Sequence, residues 1–309
     1  MALTLKHLFA VIMLSGAFSL VSAMLFVVMD AVDVAFTEAA VGAGVSTVLM
    51  LATMALTVRV QKETKRPILF PLVVVCLVGV LLIYGTLDMP NFGAFDSPAQ
   101  LHLGSTYLSI TYKDMGIPNV VTGILASYRG YDTLGETVVV LTAGLGVILL
   151  LRVSKEEKIK SETMKHHLIL KVITKFMVGV IVLFGLYVQF HGDYSPGGGF
   201  QAGVIIAAAF ILYGIVMGLE NVQKVMPIWF AQKAAAVGVL VYALTGVFSI
   251  IFGFEFLNYH AISPEHPKHG QHYGIILVEL GVGITVTFVM IAIYYSFAGR
   301  TPRLDDKER

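Results

Sequence analysis

Eight long apolar runs constrain the fold of this 309-residue chain more than any other feature. Each has at least about 18 residues, the length at which an apolar helix can cross the hydrocarbon core of a bilayer. The runs are Leu8–Met29, Val34–Val58, Ile68–Thr86, Val120–Leu151, Leu168–Phe190, Phe200–Leu219, Ile228–Phe254 and Tyr273–Ala298. Only 13% of the residues are charged, against about 25% in soluble domains. The sequence therefore predicts an all-α integral membrane protein with about eight transmembrane helices.

The first run could be taken for a signal peptide, because Val21-Ser22-Ala23 resembles a cleavage site. Its apolar stretch continues past Ala23 to Met29, which is longer than the core of a signal peptide. We therefore expect this run to be retained as a membrane span.

Basic residues predict the orientation of the chain, because they concentrate in alternate loops. They follow the second run (Arg59, Lys62, Lys65, Arg66), the fourth (Arg152, Lys155, Lys158, Lys160) and the last (Arg300, Arg303, Lys307, Arg309), and they flank the sixth-to-seventh turn (Lys224, Lys233). With eight spans these loops share one side of the membrane. Since cytoplasmic loops carry the excess of Lys and Arg, both termini are predicted to be cytoplasmic.

Three ionisable residues within the fourth run are the sharpest functional signal. Arg129, Asp132 and Glu136 are spaced by three and four residues, so on a helix they share one face. Each such group costs roughly 2.5–3.5 kcal/mol to insert, so it usually handles ions or protons. Arg129 and Asp132 alone could be a structural pair, but Glu136 then remains to exchange a proton or bind Na⁺.

The fourth run, Val120–Leu151, is also too long for one simple span. It predicts a break near Gly130 or Gly135. Broken helices at membrane depth expose carbonyl groups that can bind cations. In the outward loop before this run, residues 101–107 suit either a short strand or an amphipathic surface segment.

Four further charged residues are candidates for the ion or proton path. Asp33 and Glu38 stand at the start of the second run, and Glu279 interrupts the last run and must face protein or water. Lys175 lies inside the fifth run, where snorkelling to the headgroups is the alternative to a functional position.

The segment from His191 to Gly203 predicts a tight turn between the fifth and sixth spans. Glycines after a proline permit a close-packed reversal of the chain. The turn residues are Pro196, Gly197, Gly198, Gly199 and Phe200. His191 and Asp193 precede the turn and are candidates for proton uptake.

No motif indicates an enzyme, a metal centre or a cofactor. The lone Cys76 excludes an internal disulfide and a cysteine-based metal site. The loop with His260, His266, His269 and His272 lacks the ligand mix of a closed zinc site, so we expect it to be solvated.

Three segments together resemble a known family. Asp33–Ala43 (DVAFTEAAVGA) is similar to the D-type small subunit of membrane-bound hydrogenases, and Asn119–Gly144 is similar to their E-type partner. Met164–Ala298, with FHGDYSPGGGFQAG and LVELGVG, resembles the B-type subunit of Mrp-type Na⁺/H⁺ antiporters.

The resemblance implies a module order and a function. It implies a D-like two-helix module (1–60), an E-like two-helix module (61–154), a cytoplasmic linker (155–166) and a B-like four-helix module (167–309). It implies a multi-pass protein of the inner (plasma) membrane, assembled with other Mrp-type subunits, that exchanges Na⁺ for H⁺ without a cofactor. Glu38, Asp132 and Glu136 match the region proposed for ion passage in that family, and Pro196 and Phe200 match its turn motif.

Two other interpretations stay open. The chain could belong to the membrane arm of a membrane-bound hydrogenase or related ferredoxin-driven complex, with redox energy driving the same ion module. It could instead be a scaffold whose charges only pair helices across subunits.

Overall fold

The computed structural model describes residues 5–54, 59–61, 69–91, 93–151 and 167–299. Within these ranges the chain is helical and forms no β-strand, apart from an isolated bridge between His7 and Val60. Eight of the helices there are long and apolar enough to cross a membrane. The predicted all-α membrane fold with eight spans is therefore confirmed.

The helices are numbered α1 to α11 in chain order, and α4, α5 and α9 are too short to be spans. They are α1 (Leu8–Val28), α2 (Val32–Met54), α3 (Leu69–Thr86), α4 (Ser105–Met115), α5 (Val120–Gly123), α6 (Gly130–Leu150), α7 (Leu168–His191), α8 (Gly199–Met217), α9 (Leu219–Val225), α10 (Ile228–Ile251) and α11 (Pro267–Ala298). Three π-helical segments interrupt or extend them: Ala39–Ser46 within α2, Ala99–Gly104 before α4, and Ile124–Tyr128 after α5. A 3₁₀ turn, Tyr259–Ile262, lies between α10 and α11.

The core lies in the C-terminal half of the chain, where α11 packs against α10, α8 and α6. In the most apolar stretch of α11, 61% of the residues are buried, and in that of α8 56% are. Small residues make the close approach possible: a Cβ atom on Gly238 of α10 would lie 2.5 Å from the carbonyl oxygen of Gly281 of α11. Helices in a membrane associate through such packing, because lipid provides no hydrophobic drive between them.

The N-terminal helices are far less buried. α1 packs along α2, while α3 has no buried residue in its apolar stretch. Cys76 lies on α3 and is exposed. An exposed apolar face of this extent is one that lipid or another subunit covers.

The fourth predicted run is two helices rather than one, so the span is shorter than Val120–Leu151. α5 and its π-helical extension end at Tyr128, and α6 begins at Gly130. The helix breaks because the N–H of Arg129 bonds to the carbonyl of Ile124, five residues back, and the backbone of Arg129 then leaves the helical conformation. The predicted break near Gly130 is confirmed.

Three other sequence predictions concern the loops of the chain. Residues 101–107, for which the sequence allows a strand or a surface segment, are helical. The predicted cytoplasmic linker 155–166 lies outside the described residues. So do most of the basic residues that predict the orientation, since they fall in 62–68, 152–166 and 300–309. The orientation stays a prediction.

Candidate functional site

A cavity of about 310 Å³ lies where α2, α5, α6, α8 and α11 meet. Three carboxylate side chains line it, each from a different span: Asp33 from α2, Glu136 from α6 and Glu279 from α11. The other polar side chains in its wall are Thr37, Thr122, Thr133, Thr137, Gln201 and Tyr242. Carboxylates at membrane depth must face protein or water. The structure thus brings three acids that the sequence identified separately to one cavity.

The beginning of α2 is hydrogen-bonded to the start of α8. The backbone N–H of Gly197 donates to Oδ1 of Asp33 at 3.2 Å, and Nε2 of Gln201 donates to Oγ1 of Thr37 at 2.9 Å. The Thr37 hydroxyl in turn donates to the carbonyl of Asp33 at 3.0 Å. These bonds connect the N-terminal helix pair to the C-terminal half and hold Asp33 in the cavity wall.

The glycine turn before α8 packs directly against Glu279. Gly198 has φ +120°, a conformation that favours glycine, and a Cβ atom there would lie 2.9 Å from Oε1 of Glu279. The predicted turn ends earlier than expected, because Gly199 and Phe200 already belong to α8. A Cβ atom on Gly199 would overlap the carbonyl oxygen of Glu279, Phe200 lines the cavity, and Pro196 borders a groove between α1 and α2. The absence of side chains in this turn is what lets α8 approach α11 at this level.

Asn119 joins the start of α5 to the same turn. Its Oδ1 accepts from the N–H groups of Val121 and Thr122 at 3.0 and 3.3 Å, which is an N-cap. Its Nδ2 donates to the carbonyls of Gly192 and Ser195 at 2.9 and 3.1 Å. One side chain therefore fixes both the helix start and the path of the turn.

Two carbonyl groups at the helix break are occupied by tyrosine hydroxyls. Tyr259 donates to the carbonyl of Ala126 at 2.7 Å, and Tyr242 donates to that of Gly130 at 2.6 Å. Both tyrosines are fully buried. The expectation that the break exposes carbonyls for cation binding is therefore wrong for these two groups, because backbone oxygens freed inside a protein find other donors.

The cluster of Arg129, Asp132 and Glu136 divides into two parts. Arg129 and Asp132 form an ion pair, with Nη2 and Oδ2 2.5 Å apart, and their side chains are 59% and 51% exposed outside the cavity. Glu136, one turn further along α6, lines the cavity and is also exposed at its open side. Arg129 caps the start of α6, and of the three predicted residues only Glu136 lines the cavity.

Two further predicted residues lie away from the cavity wall. Glu38 is half-buried beside α1: a Cβ atom on Gly42 would lie 2.8 Å from its Oε1 and 2.6 Å from Oγ of Ser19. Lys175 is exposed on α7. Neither side chain joins the three carboxylates.

The two candidates for proton uptake, His191 and Asp193, have different partners. His191 stacks on Tyr187, with ring centroids 4.7 Å apart. Asp193 is only 4% exposed and pairs with His272, whose Nδ1 lies 2.5 Å from Oδ2 of the carboxylate. Burial raises the pKa of Asp193 above its ordinary value, and the neighbouring His272 acts in the opposite, smaller sense.

Sequence reasoning placed His272 in a solvated loop, and that was wrong. The residue lies within α11, which begins at Pro267. The signal that could have found it is its spacing of seven residues from Glu279, two helical turns on one face. Tyr242 and Gln201 were also missed, since neither carries a charge that stands out in an apolar run.

Known proteins resemble this chain in three consecutive parts. Residues 1–59 match the family model MbhD, which describes the D-type subunit of MBH, and residues 73–166 match MbhE, which describes the E-type subunit of MBH. Residues 169–292 match the domain related to the MnhB subunit of Na⁺/H⁺ antiporter. A protein named as putative antiporter subunit mnhB2, from Staphylococcus haemolyticus, is 34% identical over 137 residues, which are 44% of this chain and 96% of that protein.

The chain belongs to the MnhB-related family of antiporter subunits. A protein of Rhizobium meliloti named as a probable A/B subunit of a K⁺/H⁺ antiporter is 28% identical over 96% of this chain, which spans 32% of that relative. The likeness to it runs through all three MnhB- and MBH-related parts.

Two solved structures share the fold. The Mrp complex from Dietzia sp. DQ12-45-1b matches with a TM-score of 0.75 and 22% identity, over 99% of this chain and 34% of that one. The archaeal membrane-bound sulfane sulfur reductase matches with a TM-score of 0.57 and 27% identity, over 74% of this chain and 97% of that one.

Proposed function

We propose that this chain is a membrane subunit of a multisubunit monovalent cation (Na⁺)/proton antiporter and that the carboxylates of its cavity bind the exchanged ions in turn. It is a multi-pass protein of the bacterial plasma membrane. We infer that it acts as a transporter subunit rather than an enzyme, because relatives of its C-terminal part are named as antiporter subunits. Its partners are other Mrp-type subunits in a hetero-oligomer.

The observation that carries the proposal is the convergence of Asp33, Glu136 and Glu279 on one cavity. Each acid comes from a different family-matched part of the chain, within 1–59, 73–166 and 169–292. Carboxylate oxygens are hard ligands suited to Na⁺, and they bind protons at the same atoms. A site that accepts either ion is what exchange requires.

Competition for the same oxygen atoms supplies the coupling. Three carboxylates around a space of about 310 Å³ can bind a proton or a cation at the same atoms, so one ion excludes the other. Binding of one ion then lowers the affinity for the other, and the ion gradients bias which form faces which side. No cofactor is needed in this scheme, and Na⁺ and H⁺ are its transported ligands.

Glu136 stands at the open side of the cavity, where a partner protein could complete the wall. Its side chain is exposed in the isolated chain, although it lies on a span. An exposed acid at membrane depth is costly unless another protein surface or water covers it. This placement supports an ion route shared between this chain and a neighbouring subunit.

Exchange measured in membranes tests the proposal. Inverted vesicles carrying the whole complex should lose Na⁺-dependent dissipation of ΔpH at least about tenfold with Glu279→Gln, the effect of about 1.4 kcal/mol of lost binding. Glu220→Gln, an exposed acid on α9, is the matched control and should exchange normally. Wild-type exchange by Glu279→Gln at equal assembly would overturn the proposal and favour the scaffold interpretation.

A second candidate rests on the likeness to the sulfane sulfur reductase, which covers 97% of the matched chain at 27% identity. In such a complex the same cavity would carry ions while redox subunits provide the energy. Purification of the native assembly distinguishes the two: co-purifying iron–sulfur absorbance supports the redox-driven complex, and its absence from an active exchanger supports the antiporter.

A further inference from the structure

The buried Asp193 pairs with the partly exposed His272 next to the cavity but not in its wall. Asp193 is 4% exposed, and Oδ2 lies 2.5 Å from Nδ1 of His272. Neither carboxylate oxygen has a hydrogen-bond partner among the described residues, so its contact with His272 is a close ion-pair approach. Burying a carboxylate oxygen that accepts no hydrogen bond costs free energy, so such a group commonly has a role beyond packing.

The Asp193–His272 pair lies close to Glu279, which is on the same helix as His272. His272 and Glu279 are seven residues apart on this helix, so they share a face and are separated by about 10.5 Å along its axis. The loop that carries Asp193 spans this gap. Its neighbour Gly192 lies so close to Glu279 that a Cβ atom there would be 3.1 Å from Oε2.

Solvent exposure decreases from His272 to Asp193. The side chain of His272 is 33% exposed, whereas that of Asp193 is 4% exposed. α11 has 32 residues, a length of about 48 Å that exceeds the roughly 30 Å hydrocarbon core. Its N-terminal turns, including His272, can therefore reach the aqueous side.

The remaining titratable groups nearby do not replace His272. His191 is stacked on Tyr187, and His269 is exposed one turn earlier on α11. Asp33 and Glu136 lie on the cavity side of Glu279. His272 is thus the imidazole that joins the buried carboxylate to the surface.

We propose that His272 and Asp193 form a proton relay between the aqueous surface and Glu279. This assignment rests on the proposed function, because it identifies how protons reach the exchanging carboxylates. Histidine suits the outer position, since its ordinary pKa lies near neutral pH.

The relay conserves protons at each step. The imidazolium of His272 gives its Nδ1 proton to Oδ2 of Asp193, and the neutral carboxyl passes a proton to Glu279 through water. A flip of the ring then turns the nitrogen that still carries a proton toward Asp193. The bare nitrogen faces solvent and takes up the next proton. Reversal of these steps releases protons from the cavity.

The test compares the pH profiles of exchange in proteoliposomes that contain the whole complex. His272→Gln and Asp193→Asn should slow Na⁺-dependent exchange at least about tenfold at alkaline pH, where solvent protons are scarce and a positioned acid matters most. The loss should shrink toward acid pH. His269→Gln is the matched control on the same helix and should keep the wild-type profile.

Two outcomes would overturn the relay. One is a wild-type rate and profile in His272→Gln, and the other is a loss by the same factor at every pH, which indicates a structural role. The Glu279→Gln variant separates this result from the proposed function. Normal exchange by Glu279→Gln contradicts the antiporter site itself, whereas lost exchange by Glu279→Gln with an unchanged His272→Gln contradicts the relay alone.

Discussion

The spans of the two halves have similar mean hydropathy, but the most buried spans, α8 and α11, both lie in the C-terminal half. α8 and α11 are more than half buried in their apolar stretches, whereas α3 is not buried at all. The difference follows from small residues at the contacts, which let α8, α10 and α11 approach backbone to backbone. The cavity lies between the open and the packed half and takes carboxylates from both. Apolar composition therefore predicts the spans, and the close glycine contacts between α8, α10 and α11 help to bury the core.

The largest expected effect is at Gly199, in the packed half. A Cβ atom in Gly199→Ala would overlap the carbonyl oxygen of Glu279, which is backbone and cannot rotate away. We expect a loss of about 1–3 kcal/mol of stability from overpacking, visible as a lower thermal midpoint of the purified complex.

Gly79→Ala in α3 is the matched control, because nothing lies within 4 Å of the added Cβ atom. It should leave the midpoint unchanged or raise it, since alanine favours the helix by about 1 kcal/mol. Equal destabilisation by both substitutions would contradict the contrast between the two halves.

A smaller effect is expected at the hydrogen bond that holds the helix break. Tyr242→Phe removes the hydroxyl that donates to the Gly130 carbonyl, and the loss of this buried hydrogen bond costs about 1 kcal/mol. The midpoint of the complex should fall, and exchange should weaken because α6 carries Glu136. Tyr131→Phe, which changes an exposed side chain on the same helix, should do neither. If the two variants have the same midpoint and the same exchange rate, the helix break does not depend on the Tyr242 hydrogen bond.

The smallest effect is expected at Lys175. Its side chain is exposed on α7 and lies away from the cavity, where snorkelling to the headgroups is sufficient to accommodate the charge. Lys175→Gln should keep exchange within about twofold of wild type, a difference of less than about 1 kcal/mol. A loss of about tenfold or more, in the same vesicle assay, would place a second ion route along α7.

Hydropathy alone predicts the eight spans, because apolar length is a property of each segment by itself. The break near Gly130 was also predictable, since the run exceeds one bilayer crossing. The convergence of Asp33, Glu136 and Glu279 was not, because it depends on which helices pack together. The turn before α8 illustrates the limit: its glycines indicate a close approach but not the partner, which the structure identifies as Glu279.

Charge spacing did not show which member of the cluster reaches the cavity. Arg129 and Asp132 pair with each other on the exposed side, and of the three predicted residues only Glu136 lines the cavity. The sequence analysis missed His272 because a histidine-rich segment was taken as a loop, although α11 already begins at Pro267.

The most direct test of the central claim compares Glu136→Gln with Asp132→Asn in inverted vesicles at matched assembly. Both remove one negative charge from α6, but only Glu136 lines the cavity, while Asp132 pairs with Arg129 outside it. The cavity account predicts that Glu136→Gln abolishes most Na⁺-dependent ΔpH dissipation and that Asp132→Asn retains most of it. Normal exchange by Glu136→Gln, or equal loss in both variants, would contradict it.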